Sequence, residues 1–233
     1  MDEARRRTLH GRRRGKKLRA GQQSLLDTLL PRLALALPPE NAGEPARIDL
    51  AQAFGGRLPA GGVWLEIGFG AGEHLVWQAE HHPDVGLIGC EPYLNGVAKC
   101  LAHIERAGVT NIRLFTDDAR LVMAALPDRS LSRAFVLFPD PWPKTRHHKR
   151  RFVQRESLDV LARLMIPGAE LRLATDDPSY LPWMIEQACT HPAFEWLADR
   201  PADWRGRPAD WPPTRYEQKM LAGRPTFLRL RRR

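Results

Sequence analysis

The chain has 233 residues, which suits one large α/β domain or two small ones, and its apolar content of 43% is sufficient for a sizeable core. No apolar run approaches the roughly 18–20 residues of a membrane-spanning helix, and the charged N-terminus lacks the apolar centre of a secretory signal. Three cysteines without paired spacing indicate a reducing, cytoplasmic setting and no zinc site.

Positive charge is concentrated at the N-terminus. The net charge is +9, and the first twenty residues contain nine Arg or Lys residues against only Asp2 and Glu3. We therefore divide the chain into a basic, disordered arm over residues 1–24 and a single domain over residues 25–233. Such arms commonly contact nucleic acid, although a solvated leader or a targeting peptide has the same composition.

The first predicted unit is a strand, a glycine-rich turn and a helix. Residues 62–67 read GVWLEI, an apolar run typical of a buried parallel strand. Gly68, Gly70 and Gly72 follow as a tight turn where backbone can approach a ligand closely, and helical spacing resumes at Glu73. This order is typical of the nucleotide-binding unit of a doubly wound α/β sheet.

The spacing of this turn disfavours a nicotinamide dinucleotide. In the dinucleotide fingerprint the third glycine stands where this chain has Glu73. A carboxylate at that helix N-terminus would repel a pyrophosphate, and Glu66 adds a second acid at the strand end. A cationic ligand without phosphate, such as S-adenosylmethionine, fits the turn better. A turn that merely connects strand to helix is the alternative.

Acidic residues follow the next two predicted strands. Residues 85–90 form the second strand, and Glu91 stands about twenty positions past the turn, where an acid binds ribose hydroxyls. Residues 111–115 form the third strand, and Asp118 is the candidate to accept a hydrogen bond from an adenine amine, with Asp117 as its competitor. The alternatives are a solvated carboxylate at position 91 and a helix cap at either aspartate.

The most unusual segment follows the fourth predicted strand, residues 131–138. Residues 139–151 read PDPWPKTRHHKRR. Three prolines fix the backbone and hold Asp140 at the carboxyl edge of the sheet, where α/β proteins bind ligands. Trp142 offers a flat face for stacking a base, and the basic residues can contact phosphates. A rigid turn before a solvated basic helix is the structural alternative.

The remaining pattern completes a doubly wound, mostly parallel, seven-stranded Rossmann-like α/β sheet with helices on both faces. Further strands are predicted over residues 170–174, 194–197 and 225–230, helices over 93–107, 152–164, 180–189 and 214–221, and an irregular loop over 199–213.

Taken together, the motifs resemble one family. They are LEIGFG at 65–70, GCEP at 89–92, Asp118-Ala119, FPDPWPK at 138–144, ATD at 174–176 and TRYE at 214–217. With these the chain resembles the bacterial tRNA (guanine-N7-)-methyltransferases, a class I S-adenosylmethionine-dependent family. The resemblance spans residues 62–230, and the PDPWP block before the basic residues is its most specific part.

The resemblance implies methyl transfer from S-adenosylmethionine to N7 of a guanosine in the variable loop of tRNA (position 46 in tRNA numbering), without a metal. It also implies roles for individual residues. These are methyl-donor contacts at Glu66, Gly68, Gly70, Glu91 and Asp118; the active-site acid Asp140; substrate contacts at Lys144, Asp176, Thr214, Arg215, Tyr216 and Glu217; and RNA contacts at Arg146, His147, His148, Lys149, Arg150 and Arg151.

Two other interpretations use the same residues. A methyltransferase for a protein or small molecule would keep the glycine turn, but the basic cluster beside Asp140 disfavours it. A non-catalytic RNA-binding module is disfavoured by the intact turn and by acids at three strand ends. The expected partner is tRNA and not a membrane. The sequence leaves the oligomeric state open, with a monomer favoured.

Overall fold

A computed structural model of the protein describes residues 10–39, 47–213 and 223–233. The strands are β1 (Val63–Ile67), β2 (Gly86–Cys90), β3 (Ile112–Phe115), β4 (Leu131–Leu137), β5 (Met165–Thr175), β6 (Phe194–Trp196) and β7 (Thr226–Arg232). The described α-helices are α1 (Ala20–Thr28), α2 (Leu30–Leu33), α3 (Leu50–Ala53), α4 (Glu73–His81), α5 (Leu94–Ala107), α6 (Ala119–Ala125), α7 (Arg155–Leu164), α8 (Tyr180–Met184) and α9 (Ala202–Arg205).

The strands form one sheet in the order β3-β2-β1-β4-β5-β7-β6. Pairs from β3 to β5 are parallel, whereas β7 runs antiparallel to both β5 and β6. The predicted doubly wound, mostly parallel, seven-stranded sheet is therefore confirmed. The chain order reverses between β1 and β4, and in such sheets ligands bind beyond the carboxyl ends of the strands at that point.

Two apolar layers cover the faces of the sheet. Alternation along β1 sends Leu65 and Ile67 into one layer and Trp64 into the other. The second layer contains the apolar side of α5, with Val97 and Leu101 fully buried. These layers fix the sheet edge from which the glycine turn projects.

Several boundaries differ from the sequence prediction for local reasons. Helix α7 begins at Arg155 and not at Phe152, because the Ser157 hydroxyl accepts a hydrogen bond from the Gln154 N–H just before it. The predicted helix 180–189 divides into α8 and a π-helical turn, Ile185–Cys189, after Pro182, which has no N–H to donate. The predicted helix 214–221 lies outside the described residues.

Residues 10–19 lie against the domain. The Leu94 N–H donates to Arg13 O at 2.9 Å, and the Asn95 side chain bonds Gly15 N and Lys16 O, both at 2.7 Å. Helix α1 begins at Ala20, so the predicted boundary at residue 24 falls within a helix. Residues 13–16 thus have hydrogen-bond partners at the start of α5 that composition does not reveal. The disorder of the arm over residues 1–24 stays a prediction, and residues 1–9 lie outside the described part of the chain.

Across the described ranges, no helix is both long and apolar enough to span a membrane.

Candidate functional site

A cavity of about 610 Å³ opens at the carboxyl ends of β1, β2 and β4. Its volume falls within the usual range for sites that bind small molecules. Its walls combine the glycine turn, the acids that follow β2 and β3, and the proline-rich loop after β4. The predicted site residues among its lining are Gly68, Gly70, Glu91, Asp118, Asp140 and Arg150.

The glycine turn has a backbone that requires glycine. Gly68, Gly70 and Gly72 have φ values of 75°, 58° and 81°, all in the left-handed region. Helix α5 approaches the turn closely, since a Cβ atom on Gly96 would lie 2.3 Å from Gly70 O. Gly96, which also lines the cavity, was missed by sequence reasoning because its requirement depends on packing between distant segments.

Glu91 organises the turn as well as lining the cavity. Its Oε2 accepts a hydrogen bond from Gly70 N and its Oε1 accepts one from Tyr93 N, each at 2.8 Å. Burial raises the pKa of the Glu91 carboxyl group, and the two backbone donors partly offset that rise. A ligand at this edge would therefore meet a carboxylate that is already held in place.

Glu66 has a different position from the other predicted donor contacts. It is only 3% exposed, and its Oε2 lies 2.7 Å from Nδ1 of His74. Among the described residues that line the cavity, Ile67 and Gly68 appear and Glu66 does not. The structure thus places this acid against α4, behind the turn.

The two aspartates after β3 have separate environments. Asp118 lines the cavity, caps α6 by accepting from Arg120 N at 3.0 Å, and pairs with the Arg120 guanidinium at 3.2 Å. Asp117 instead forms an ion pair with Arg13 at 2.8 Å, outside the cavity lining. Asp118 therefore combines both predicted features, because it lines the ligand cavity and also caps α6.

The loop after β4 carries Asp140 on a strained backbone. Phe138 and Trp142, which flank it, have φ values of 50° and 45°, a conformation that residues with a Cβ rarely adopt and that clusters at functional sites. Asp140 lines the cavity and stays accessible to solvent. The surrounding protein still removes part of its hydration, which raises the pKa of its carboxyl group.

The predicted RNA-contacting segment divides into exposed and buried residues. A 3₁₀ helix, Thr145–Arg150, presents exposed Arg146 and Lys149, while the Arg150 guanidinium lies 5.1 Å from the Trp142 ring. Arg151 is only 1% exposed and donates from Nε to Pro141 O at 2.8 Å. Arg151 therefore supports the proline-rich loop from behind, and its contact with RNA stays a prediction.

The predicted substrate contacts are only partly described. Lys144 is exposed and Asp176 is partly buried at the end of β5, and neither belongs to the cavity lining. Thr214, Arg215, Tyr216 and Glu217 lie outside the described residues. Sequence reasoning also missed several residues of the cavity wall, which come from the arm, from α5 and from the residue just before α5: His10, Gly11, Arg12, Tyr93 and Lys99.

The charges of the cavity indicate the class of ligand. Four carboxylates and four basic side chains, those of Arg12, Lys99, Arg120 and Arg150, line it, so the charges of the lining are balanced. One of the carboxylates, Glu73, is the first residue of α4, where a phosphate would otherwise bind. A cationic ligand without phosphate fits this arrangement. In the described residues no group of three or more His, Cys, Asp or Glu side chains could hold a metal ion.

Several known proteins are similar to this chain in sequence. Residues 61–229 match a family model described as "Putative methyltransferase". The tRNA (guanine-N(7)-)-methyltransferase of Rhodospirillum rubrum is 55% identical over 226 residues, which cover 96% of this chain and 87% of that protein. The enzyme of the same name from Paramagnetospirillum magneticum is 52% identical, covering 96% of this chain and 92% of that protein.

Solved structures share the fold at low sequence identity. The structure of PH0851 matches with a TM-score of 0.52 at 14% identity, covering 75% of this chain and 43% of that one. TrmN from Thermus thermophilus matches with a TM-score of 0.50 at 15% identity, covering 79% of this chain and 47% of that one. At these identities the likeness concerns the fold alone.

Proposed function

The chain belongs to the tRNA (guanine-N(7)-)-methyltransferase family and uses S-adenosylmethionine as its methyl donor, and from this premise we propose that it methylates N7 of a guanosine in the variable loop of tRNA. The observation that carries the proposal is that one cavity contains the glycine turn, Glu91 and Asp140 of the proline-rich block. A tRNA substrate favours a cytoplasmic location.

The residues of the cavity fit this donor. S-adenosylmethionine supplies a methyl group on a positively charged sulfonium and carries no phosphate. Glu91 and Asp118 both line the cavity. Glu91 is proposed to accept from the ribose hydroxyls, and Asp118 from the adenine amine. Gly68 and Gly70 allow close approach of the backbone. Glu66 lies behind the glycine turn and outside the cavity lining, so its effect on the donor would be indirect.

Asp140 is proposed to orient the guanine and not to remove a proton. N7 of guanine carries a lone pair and no hydrogen, so the nucleophile needs no base. Catalysis then depends on holding the attacking nitrogen in line with the methyl carbon and sulfur, with reacting atoms about 3–3.5 Å apart. Guanine presents N1–H and an N2 amine on one edge, and a single carboxylate can accept from both.

Asp176 is the other carboxylate that could bind this edge of guanine. Asp140 is favoured because it lines the same cavity as the donor-binding turn, whereas Asp176 does not belong to that lining. Adenine presents no matching pair of donors, so a carboxylate in this position would also select guanine.

Methylation of total tRNA by the purified protein tests the proposed function. With a labelled donor, we expect incorporation into tRNA and, after nuclease digestion, 7-methylguanosine at a variable-loop position. Labelling of another atom or of another loop would contradict the proposed substrate, and an absence of tRNA labelling would contradict the proposed activity.

The exposed cations of the arm are proposed to contact tRNA phosphates. Arg14 and Lys17 are exposed, and the backbone contacts with α5 use their neighbours. Each phosphate contact adds about 0.7–0.9 to the slope of log affinity against log salt. The double variant Arg14→Gln/Lys17→Gln should therefore lower the steepness of that slope by up to about 1.8. Fluorescence anisotropy with labelled tRNA at several salt concentrations measures it.

A matched control removes two cations at the opposite edge of the sheet. Arg57 and Arg129 are exposed and precede β1 and β4, so they lie at the amino ends of strands. The variant Arg57→Gln/Arg129→Gln should keep the wild-type slope. Equal slopes for the arm variant and the wild type would show that these arm residues do not contact phosphates.

A further inference from the structure

A buried histidine lies between the acid behind the glycine turn and a glutamine of α4. Glu66, His74 and Gln78 are 3%, 2% and 0% exposed, so water has almost no access to them. Glu66 Oε2 lies 2.7 Å from His74 Nδ1, and His74 Nε2 lies 3.1 Å from Gln78 Nε2. Because each ring nitrogen has a polar partner within hydrogen-bond distance, the partners decide which nitrogen carries the proton.

A backbone carbonyl fixes the orientation of the Gln78 amide. Gln78 Nε2 donates to the carbonyl oxygen of Asp210, in the loop after α9, at 3.0 Å. A carbonyl oxygen can only accept, so the nitrogen of the amide and not its oxygen must face it. The same nitrogen has a second hydrogen, which it donates to His74 Nε2. His74 Nε2 is therefore an acceptor and carries no proton.

This assignment makes His74 a neutral ring beside a charged acid. The proton of the ring is on Nδ1, which donates to Glu66 Oε2. A neutral imidazole supplies a hydrogen bond without cancelling the charge of the carboxylate. Among the described residues no lysine or arginine forms an ion pair with Glu66. Glu66 thus keeps a negative charge inside the protein.

The charge of Glu66 acts on the cavity although its side chain is outside the lining. Ile67 and Gly68, the next two residues of the chain, belong to that lining. Burial is the main cause of the raised pKa of the Glu91 carboxyl group, and the negative charges of Asp140 and Glu66 add to the rise. Because Glu91 lines the cavity, a ligand beside it is exposed to the same charge. Salt screens such a buried charge only weakly.

The methyl donor and its product differ in the property that this charge can distinguish. The acids and bases of the lining are balanced, so Glu66 adds one uncompensated negative charge next to the site. S-adenosylmethionine carries a positive sulfonium. S-adenosylhomocysteine, which remains after the methyl group has been transferred, has a neutral sulfur at the same position and the same ammonium and carboxylate groups.

We propose that Glu66, paired with a neutral His74 whose tautomer is set by Gln78, selects the charged methyl donor over the product with its neutral sulfur. His74 and Gln78 are positioning residues, because they act through Glu66 and do not belong to the lining within the described ranges. The inference rests on the methyl donor of the proposed function and not on the tRNA site. A product that binds less tightly than the donor leaves the cavity more readily after each transfer.

The variant Glu66→Gln tests the role of the charge. Glutamine keeps an oxygen that can accept from His74 Nδ1, but it is neutral. Two unit charges about 10 Å apart, at an effective dielectric constant of about 20, attract enough to change an equilibrium on the order of tenfold. We expect the Kd for S-adenosylmethionine to rise about tenfold and the Kd for S-adenosylhomocysteine to change less than about threefold. Calorimetric titration with each compound, without tRNA, measures both constants.

Two further variants separate charge from packing. Glu80→Gln removes an exposed acid from the same helix, and the ratio of its two Kd values should equal that of the wild type. His74→Asn replaces the ring with a neutral amide that can also donate to Glu66, so its ratio should stay within about twofold of the wild type. An equal loss of affinity for both compounds in Glu66→Gln would overturn the proposal, as would wild-type values for both.

Nitrogen-15 NMR of the histidine rings tests the proposal even if Glu66→Gln does not fold. In the wild type at neutral pH, His74 should carry a proton on Nδ1 and none on Nε2. Protons on both nitrogens would make a cation that neutralises Glu66, and this result would overturn the proposal. A wild type that shows the expected affinities but does not methylate tRNA would instead overturn the proposed function and leave this inference in place.

Discussion

Replacing Asp140 with Asn is expected to lower kcat on tRNA by at least about 100-fold. The carboxylate is proposed to accept two hydrogen bonds from guanine, and hydrogen bonds to a charged group contribute about 1.5–3 kcal/mol each. An asparagine offers one acceptor oxygen and places an N–H₂ group against a donor of the base. The loss should appear in kcat because the contact aligns the base for attack.

Single-turnover methylation with saturating donor measures this effect, and calorimetric titration with S-adenosylmethionine shows whether the cavity survives. Donor affinity should change much less than turnover. Asp176→Asn is the informative companion, because Asp176 is the alternative acceptor for the same guanine edge. Near-normal turnover in Asp140→Asn would refute the orienting role, and a large loss confined to Asp176→Asn would transfer that role to Asp176.

Replacing Glu91 with Gln is expected to weaken donor binding by about 10- to 100-fold. The Glu91 carboxylate accepts from Gly70 N and Tyr93 N at once, and a glutamine has only one oxygen for the two N–H groups. A hydrogen bond from a ribose hydroxyl to the charged carboxylate would contribute about 1.5–3 kcal/mol, and 1.4 kcal/mol corresponds to a factor of ten in affinity. The loss of a negative charge near a cationic ligand acts in the same direction.

Calorimetric titration of the variant with S-adenosylmethionine measures the change in Kd. Asp117→Asn is the matched control, because it also removes an acid that follows a strand at this edge, yet from outside the cavity lining. Its donor affinity should equal that of the wild type. If a folded Glu91→Gln variant bound donor normally, Glu91 would have no part in the donor site.

The fold could be predicted from the sequence because its signals are local. Apolar runs of strand length, each followed by glycine or acidic residues, place the strands and the edge where ligands bind. The acids Glu91, Asp118 and Asp140 converge on one cavity for the same reason, since parallel strands end at the same edge of the sheet.

The remaining site features depend on contacts between segments that are far apart in sequence. Arg151 stands in a run of cations, and only its packing on Tyr180 and Trp183 separates it from its exposed neighbours. The partner of Glu66 is a histidine on α4, which strand alternation does not specify. The ion pair between Arg172 and Asp210 is equally hidden, because its two residues lie 38 positions apart in the sequence.

The contact between Gly96 and the glycine turn has a consequence for inhibitor design. Because Gly70 O leaves no room for a side chain at Gly96, the turn cannot move toward α5 unless that helix moves as well. A compound bulkier than the natural donor would therefore find no additional space on the side of the cavity where α5 packs against the turn. Added groups should instead point toward Trp142 of the proline-rich loop and toward residues 10–12 of the arm, which line other parts of the cavity.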